Sequence, residues 1–219
     1  MRKELCCMLN VPLAPRMGAL PRLALDSLRP EETLLVICDM VIGFAEHGAL
    51  ASPRVAALTP AIGQLLEQCK TKGIPAVAFA DTHPENAAEF ARYPVHCAEG
   101  TEECEILPAL KAIGGYITIP KNSTNGMLTE AFPQYLQTHP QCRTVVLCGC
   151  CTDICVMQFA LTLKAYGDTQ NHPYRIIVPE TLTDTFDGPG HDGDTFHLLA
   201  LQLMEQAGIE LISEVSYGA

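Results

Sequence analysis

Residues 145–160 read VVLCGCCTDICVMQFA, running from Val145 through Gly149 and Cys155 to Ala160. Val145 to Cys148 form a short apolar run ending on glycine, the form of a strand buried on both faces. Beyond the glycine the spacing changes. Val156, Phe159, Ala160 and Leu163 keep one face of a helix that the pattern ends at Gly167. A strand feeding a helix through a tight turn is half of a βαβ unit, so this stretch predicts a parallel sheet.

Working outward, five more apolar runs are found: Leu34 to Cys38, Ala76 to Ala80, Tyr116 to Ile119, Ile176 to Val178 and Ile209 to Ile212. Between the first two, Ser52 and Pro53 read as an N-cap and first helical residue. Val55, Leu58, Ile62, Leu65, Leu66 and Cys69 then keep helical spacing up to Gly73. Phe196 to Gln206 reads as a last helix. The alternation predicts an α/β fold: one doubly wound domain over 31–219, with a six-stranded, mainly parallel sheet and helices on both faces.

Residues 1–30 read as an N-terminal extension. Arg2, Lys3 and the run Leu5 to Leu13 faintly suggest a signal peptide, but Pro12, Pro15 and Arg16 interrupt it. A formal charge of −11 argues against nucleic acid or an anionic membrane as partner. Eleven cysteines are an odd number and cannot all pair internally. Most lie in apolar runs, where Cys packs as a small hydrophobe, which points to a reducing cytoplasm.

In open parallel sheets, ligands sit beyond the carboxyl ends of the strands. Four strand ends carry reactive groups there: Asp39, Asp81 with His83, Lys121, and the Gly149–Cys155 turn. Each alone is more often a cap, a solvated charge or packing; their concurrence at one edge reads as a site. Thr152 or Asp153 can cap the helix and place Cys155 in its first turn. There the unpaired N–H groups and a nearby Lys favour a thiolate and can hold an oxyanion.

The segment Gly149 to Ala160 resembles the nucleophile motif of the isochorismatase-like cysteine hydrolases, and within them the nicotinamidase subgroup. Asp39 with Gly43-Phe44 and Gly48-Ala49-Leu50, and Lys121 before Asn122-Ser123, resemble two further motifs of that family. His197 with Ala200, Leu201, Met204 and Gly208 resembles its last helix. The resemblance implies catalysis by Asp39, Lys121 and Cys155, a cis peptide between Cys150 and Cys151, and an oxyanion hole from the backbone N–H groups of Cys151 and Cys155. It also implies a divalent transition metal on Asp81, His83, Glu89 and His96, zinc first and manganese or iron next. Phe44, Leu50 and Tyr93 resemble substrate-pocket residues.

The implied reaction is hydrolysis of nicotinamide to nicotinate and ammonia through a cysteine thioester. The alternatives are a related amidase acting on an N-carbamoyl or ureido compound, and a non-catalytic metal- or ligand-binding relative. Isochorismatase proper is disfavoured, because the enol-ether-cleaving members lack the nucleophilic Cys. A small-molecule amide as partner and assembly as a homo-oligomer complete the expectation. Met40, Val41 and Ile42 stand where many members are polar, and Phe186 to Asp194 has no evident counterpart. Its Gly-rich composition reads as a surface loop whose polar residues are caps or interface groups.

Overall fold

The structure, a computed structural model, describes residues 20–218. Residues 1–19, where the signal-like run falls, lie outside the described residues. The strands are β1 (Leu23–Ala24), β2 (Thr33–Cys38), β3 (Ala76–Asp81), β4 (Tyr116–Lys121), β5 (Thr144–Cys150), β6 (Arg175–Pro179), β7 (Thr183–Asp184), β8 (Glu210–Ile212) and β9 (Val215–Ser216). Every named pairing is parallel.

The main sheet runs β4-β3-β2-β5-β6-β8, with β7 pairing the end of β5. The chain therefore starts in the middle, winds outward to β4, then restarts on the other side of β2. Both faces are covered. In β2, Leu35 and Ile37 pack into one core with Ile62, Leu65 and Leu66. Leu34, Val36 and Cys38 pack into the other with Phe132, Phe159 and Leu201. Alternate residues of one strand thus serve opposite layers, as the pleat requires.

Several boundaries depart from the sequence reading. The sheet has a seventh strand, because Thr183 and Asp184 are too short and polar a pair to register as an apolar run. The helix expected from Ser52 to Gly73 is two helices, α1 (Pro53–Ala56) and α2 (Thr59–Lys72). Pro60 sits in the first turn of α2, where its missing N–H is tolerated; in the interior of one long helix it would remove a hydrogen bond. Gly73 does close α2, at φ +75°, but Ser52 makes no capping hydrogen bond. α3 (Met157–Thr169) runs past Gly167, and α4 (Gly193–Gln206) starts early on an Asp192 cap that accepts from the Thr195 N–H. Within the segment assigned as an extension, β1 pairs with β9, and Leu25 and Leu28 are buried in the core. Among the described residues no helix is long and apolar enough to cross a membrane.

One glycine is required by the central strand pair. Gly149 has φ +108°, and a Cβ there would collide with the backbone oxygen of Cys38 and lie 2.7 Å from its nitrogen. Gly149→Ala is therefore expected to destabilise the fold by about 3 kcal/mol or more, since the colliding atoms are backbone of the facing strand. The urea midpoint measures this. A loss below about 1 kcal/mol would show that β2 and β5 can separate cheaply.

Candidate active site

The winding reverses between β2 and β5, so the crevice for a ligand opens beyond their carboxyl ends. Asp39 follows β2 there, at φ +50°, a left-handed conformation that Asp reaches more readily than most residues. β3 and β4 end in register, Asp81 beside Lys121. After β5 the Cys150–Cys151 peptide is cis, and a single π turn, Thr152–Val156, carries Cys155. Thr152 and Asp153 do not cap this turn. Cys151 is its N-cap and makes no side-chain capping bond. Thr152 Oγ1 lies 3.0 Å from Thr183 Oγ1 and 2.9 Å from His197 Nδ1, while Asp153 Oδ2 lies 2.8 Å from His191 Nε2.

Lys121 joins the pieces. Its Nζ is 2.6 Å from Asp81 Oδ1, 3.0 Å from Asp39 Oδ2 and 3.9 Å from Cys155 Sγ. All four side chains are buried. Neither oxygen of Asp39 accepts a well-formed hydrogen bond, so the Lys121 ion pair supports a carboxylate that is otherwise desolvated. Burial pushes Asp39 up to about 6, against Lys121 and with help from the charge on Asp81. Asp81 is also desolvated, but Lys121, His83 and His96 hold it well below the usual carboxylate range. Against the expectation of a lowered thiol, burial pushes Cys155 well up. Lys121 opposes that rise, and the Asp39 and Asp81 charges add to it.

The physical reason is charge. Two carboxylates and one ammonium leave the cluster one negative charge, and a proton lost from Cys155 to solvent would make it two. Transfer of that proton to Asp39 leaves the total unchanged. The arrangement therefore favours proton exchange within the cluster over a free-standing thiolate.

Asp81 also belongs to a second group. Its Oδ2 lies 2.8 Å from His83 Nε2 and 3.2 Å from His96 Nε2, and the three offer ligand atoms that could hold a metal ion. Each imidazole is oriented from behind: His83 Nδ1 is 2.7 Å from Asn122 Oδ1, and His96 Nδ1 is 2.7 Å from the Pro94 carbonyl. With Nδ1–H donating to Asn122 and Pro94, each neutral imidazole turns an Nε2 lone pair toward Asp81, where a metal ion or a proton on Nε2 satisfies both groups. Ligand atoms around a four-coordinate zinc stand roughly 3.3 Å apart, so the donor set and its spacing fit such an ion. Glu89, expected as a fourth ligand, is on a 3-10 turn, Ala88–Ala91. It lines the same cavity but is outside that group of three.

Both groups face one cavity of ≈ 490 Å³, lined among others by Asp81, His96, Cys151 and Cys155. The expected pocket residues Phe44, Leu50 and Tyr93 line it too, with Phe44 5.7 Å from the His96 ring centre. Sequence reasoning missed Arg54, Ile154 and Phe186 in this lining. Arg54 sits in a helix and Ile154 in the turn that carries Cys155, where neither has a distinguishing local pattern. Phe186 lies in the segment read as a surface loop. The segment is exposed at Asp187, Pro189 and Gly190 and supplies the Asp192 cap, as read, and it has a role that was not read: Phe186, Asp187, Gly188 and Pro189 form part of the cavity wall.

Comparison with known proteins bears on the family and the fold. Nicotinamidase 1 of Arabidopsis thaliana is 27% identical over 212 residues, covering 84% of this chain and 86% of that protein. The pyrazinamidase of Pyrococcus horikoshii, solved in complex with zinc, superposes with TM-score 0.68 at 25% identity, over 83% of this chain and 98% of the other. The N-carbamoylsarcosine amidase of Thermoplasma acidophilum, at 24% identity, superposes with TM-score 0.67 over 83% and 95%. The isochorismatase domain matches residues 33–214, nearly all of the described chain, and the protein belongs to that family.

Proposed function

We propose that this isochorismatase-family hydrolase is a cysteine amidase that converts nicotinamide to nicotinate and ammonia. The observation that carries this reading is the junction at Asp81. One of its oxygens meets the Lys121 of the Asp39–Cys155 cluster, and the other meets the two histidines of the metal-binding group. A nucleophile and a ring anchor would then share one cavity.

Asp39 accepts the Cys155 thiol proton as Sγ attacks the amide carbon, giving a tetrahedral adduct whose oxyanion rests on the N–H groups of Cys151 and Cys155. Asp39 returns the proton to the leaving nitrogen, ammonia departs, and a thioester remains. Water, deprotonated by the same carboxylate, cleaves the thioester and restores the thiol. Throughout, Lys121 neutralises whichever partner is charged. A divalent ion held by Asp81, His83 and His96, with Glu89 as a proposed fourth ligand, would supply a Lewis-acidic anchor for the pyridine nitrogen. Phe44, Leu50 and Tyr93 would enclose the ring.

The competing substrate class is an N-carbamoyl acid. The cavity wall speaks against it, because the Arg54 guanidinium is already engaged by Asp184 at 2.7 Å and Asp194 at 3.0 Å. The test is hydrolysis of nicotinamide and of N-carbamoyl amino acids before and after chelation. Nicotinamide turnover lost on chelation and regained with zinc, manganese or iron is expected. Full activity in metal-free protein, or turnover of ureido compounds alone, would overturn the reading.

A further inference from the structure

The segment from Phe186 to His191 has no part in the chemistry above, yet it is built into the site. It closes on itself through reciprocal backbone hydrogen bonds of 2.9 Å between Gly188 and His191. Its first residues line the cavity. Its last, His191, is held on every side. The imidazole stacks between Phe186, at 4.1 Å and 6°, and Phe196, at 4.0 Å and 22°. Nδ1 lies 2.9 Å from the Phe186 carbonyl, and Nε2 lies 2.8 Å from Asp153 Oδ2, on the turn that carries Cys155. The strap is therefore pinned to the nucleophile's own turn through one side chain.

Two properties of this wall select a ligand. The first is room: a cavity of ≈ 490 Å³ is in the range that encloses drug-sized molecules, and a single unsubstituted ring leaves much of it empty. The faces offered by Phe186 and Pro189 suit an apolar or aromatic substituent. The second is charge. Arg54 is paired with Asp184 and Asp194 and has Asp187 a further 3.7 Å away, so it presents no unmatched positive charge. Asp187, on the strap itself, adds negative charge to this part of the lining, and an anionic group brought against it would lose its hydration without gaining a partner.

We propose that the Phe186–His191 strap is the specificity wall of the amide pocket, admitting neutral or cationic carboxamides substituted beyond the ring and rejecting those with an anionic substituent. His191 is the positioning residue that fixes this wall to the Cys155 turn. The proposal rests on the cysteine amidase reading for its chemistry, but not for its geometry.

The test uses metal-loaded protein and three amides: nicotinamide, a ring-substituted aryl derivative, and the same derivative bearing a carboxylate on the aryl group. The neutral derivative should exceed its carboxylate counterpart in kcat/KM by about tenfold or more. Phe186→Ala and His191→Ala should each lower the ratio of the neutral derivative to nicotinamide by about tenfold, with the loss carried by KM. His191→Gln, which keeps a donor toward Asp153, should recover part of it.

A second readout needs no turnover. Cys155 alkylation by iodoacetamide, a bulky N-aryl iodoacetamide and iodoacetate is timed by peptide mass spectrometry, relative to a small free thiol. Iodoacetate should lag in the wild type, and the strap variants should change the bulky-to-small ratio. If no amide is hydrolysed, the amidase reading falls while alkylation still judges the wall. Ratios in Phe186→Ala equal to wild type in whichever readouts operate would overturn the proposal, whether or not His191→Ala folds.

Discussion

Cys155→Ala is expected to lower amide hydrolysis by on the order of 10⁴-fold or more, while Cys148→Ala, Cys150→Ala and Cys151→Ala keep measurable turnover. The four thiols differ in what they face. Cys148 and Cys150 are fully buried, and their Sγ atoms point at the backbone oxygens of Val36 and Asp39. Burial pushes the Cys148 thiol up. Cys150 is pushed up by its contact with Cys151 and by burial. Cys151 lines the cavity but precedes the turn. Cys155 also lines the cavity, and Lys121 stands 3.9 Å from its sulfur. Initial rates on nicotinamide, with thermal denaturation to confirm folding, measure the outcome. Loss of activity under iodoacetamide should follow alkylation of Cys155 residue for residue. A Cys155→Ala protein retaining a tenth of wild-type rate would end the thioester mechanism.

Asp39→Asn is expected to slow acylation by on the order of 10²-fold or more with little change in substrate binding, because a positioned base is removed while the cavity keeps its shape. It should also change the pH profile. With the Asp39 carboxyl pushed up to about 6 by burial, the wild-type acylation rate should fall tenfold per unit as pH drops below that value, since the protonated acid cannot accept the thiol proton. The Asn variant should lose this limb. Lys121→Met leaves Asp39 and Asp81 buried against each other without their shared cation, which costs about 3–5 kcal/mol of stability for a broken buried pair. Its acylation rate should fall as well, and the double variant should be no slower than the worse single one, because both residues act on one proton transfer. Stopped-flow acylation across pH 5 to 8 checks the rates, and urea denaturation checks the stability loss. An acid limb unchanged in Asp39→Asn would assign the titrating group elsewhere.

Much of this site can be read along the chain. The apolar runs place the six principal strands within about two residues of their observed ends. In the central strands β2, β3 and β5 burial on both faces leaves no polar alternation to blur them, while the edge strand β4, with Ile117 exposed, is marked by its β-branched residues. Strand ends then nominate Asp39, Asp81, Lys121 and Cys155 for one edge, since parallel strands deliver all their carboxyl ends to the same side. The structure brings these four together, with His83 and His96 beside Asp81.

What the chain alone left open depends on partners distant in sequence. A helical pattern reports one element's buried face, so it carried the reading across Ala57 and Leu58, where the chain breaks just before Pro60 to pack α1 and α2 separately. Thr152 and Asp153 have cap-forming side chains, but Thr183, His197 and His191 compete for them in the folded protein. A helix terminus and a lysine suggest a lowered thiol; burial among two carboxylates reverses that direction. Arg54 meets Asp184 across 130 residues, and His191 meets Asp153 across 38. Those contacts turn a Gly-rich loop into a cavity wall. Local sequence determined the sheet and the reactive edge, because both follow from periodicity along single elements. Tertiary packing decided the direction in which the Cys155 thiol is shifted and the shape of the adjoining pocket, because each is a sum over groups that only the completed fold brings within reach.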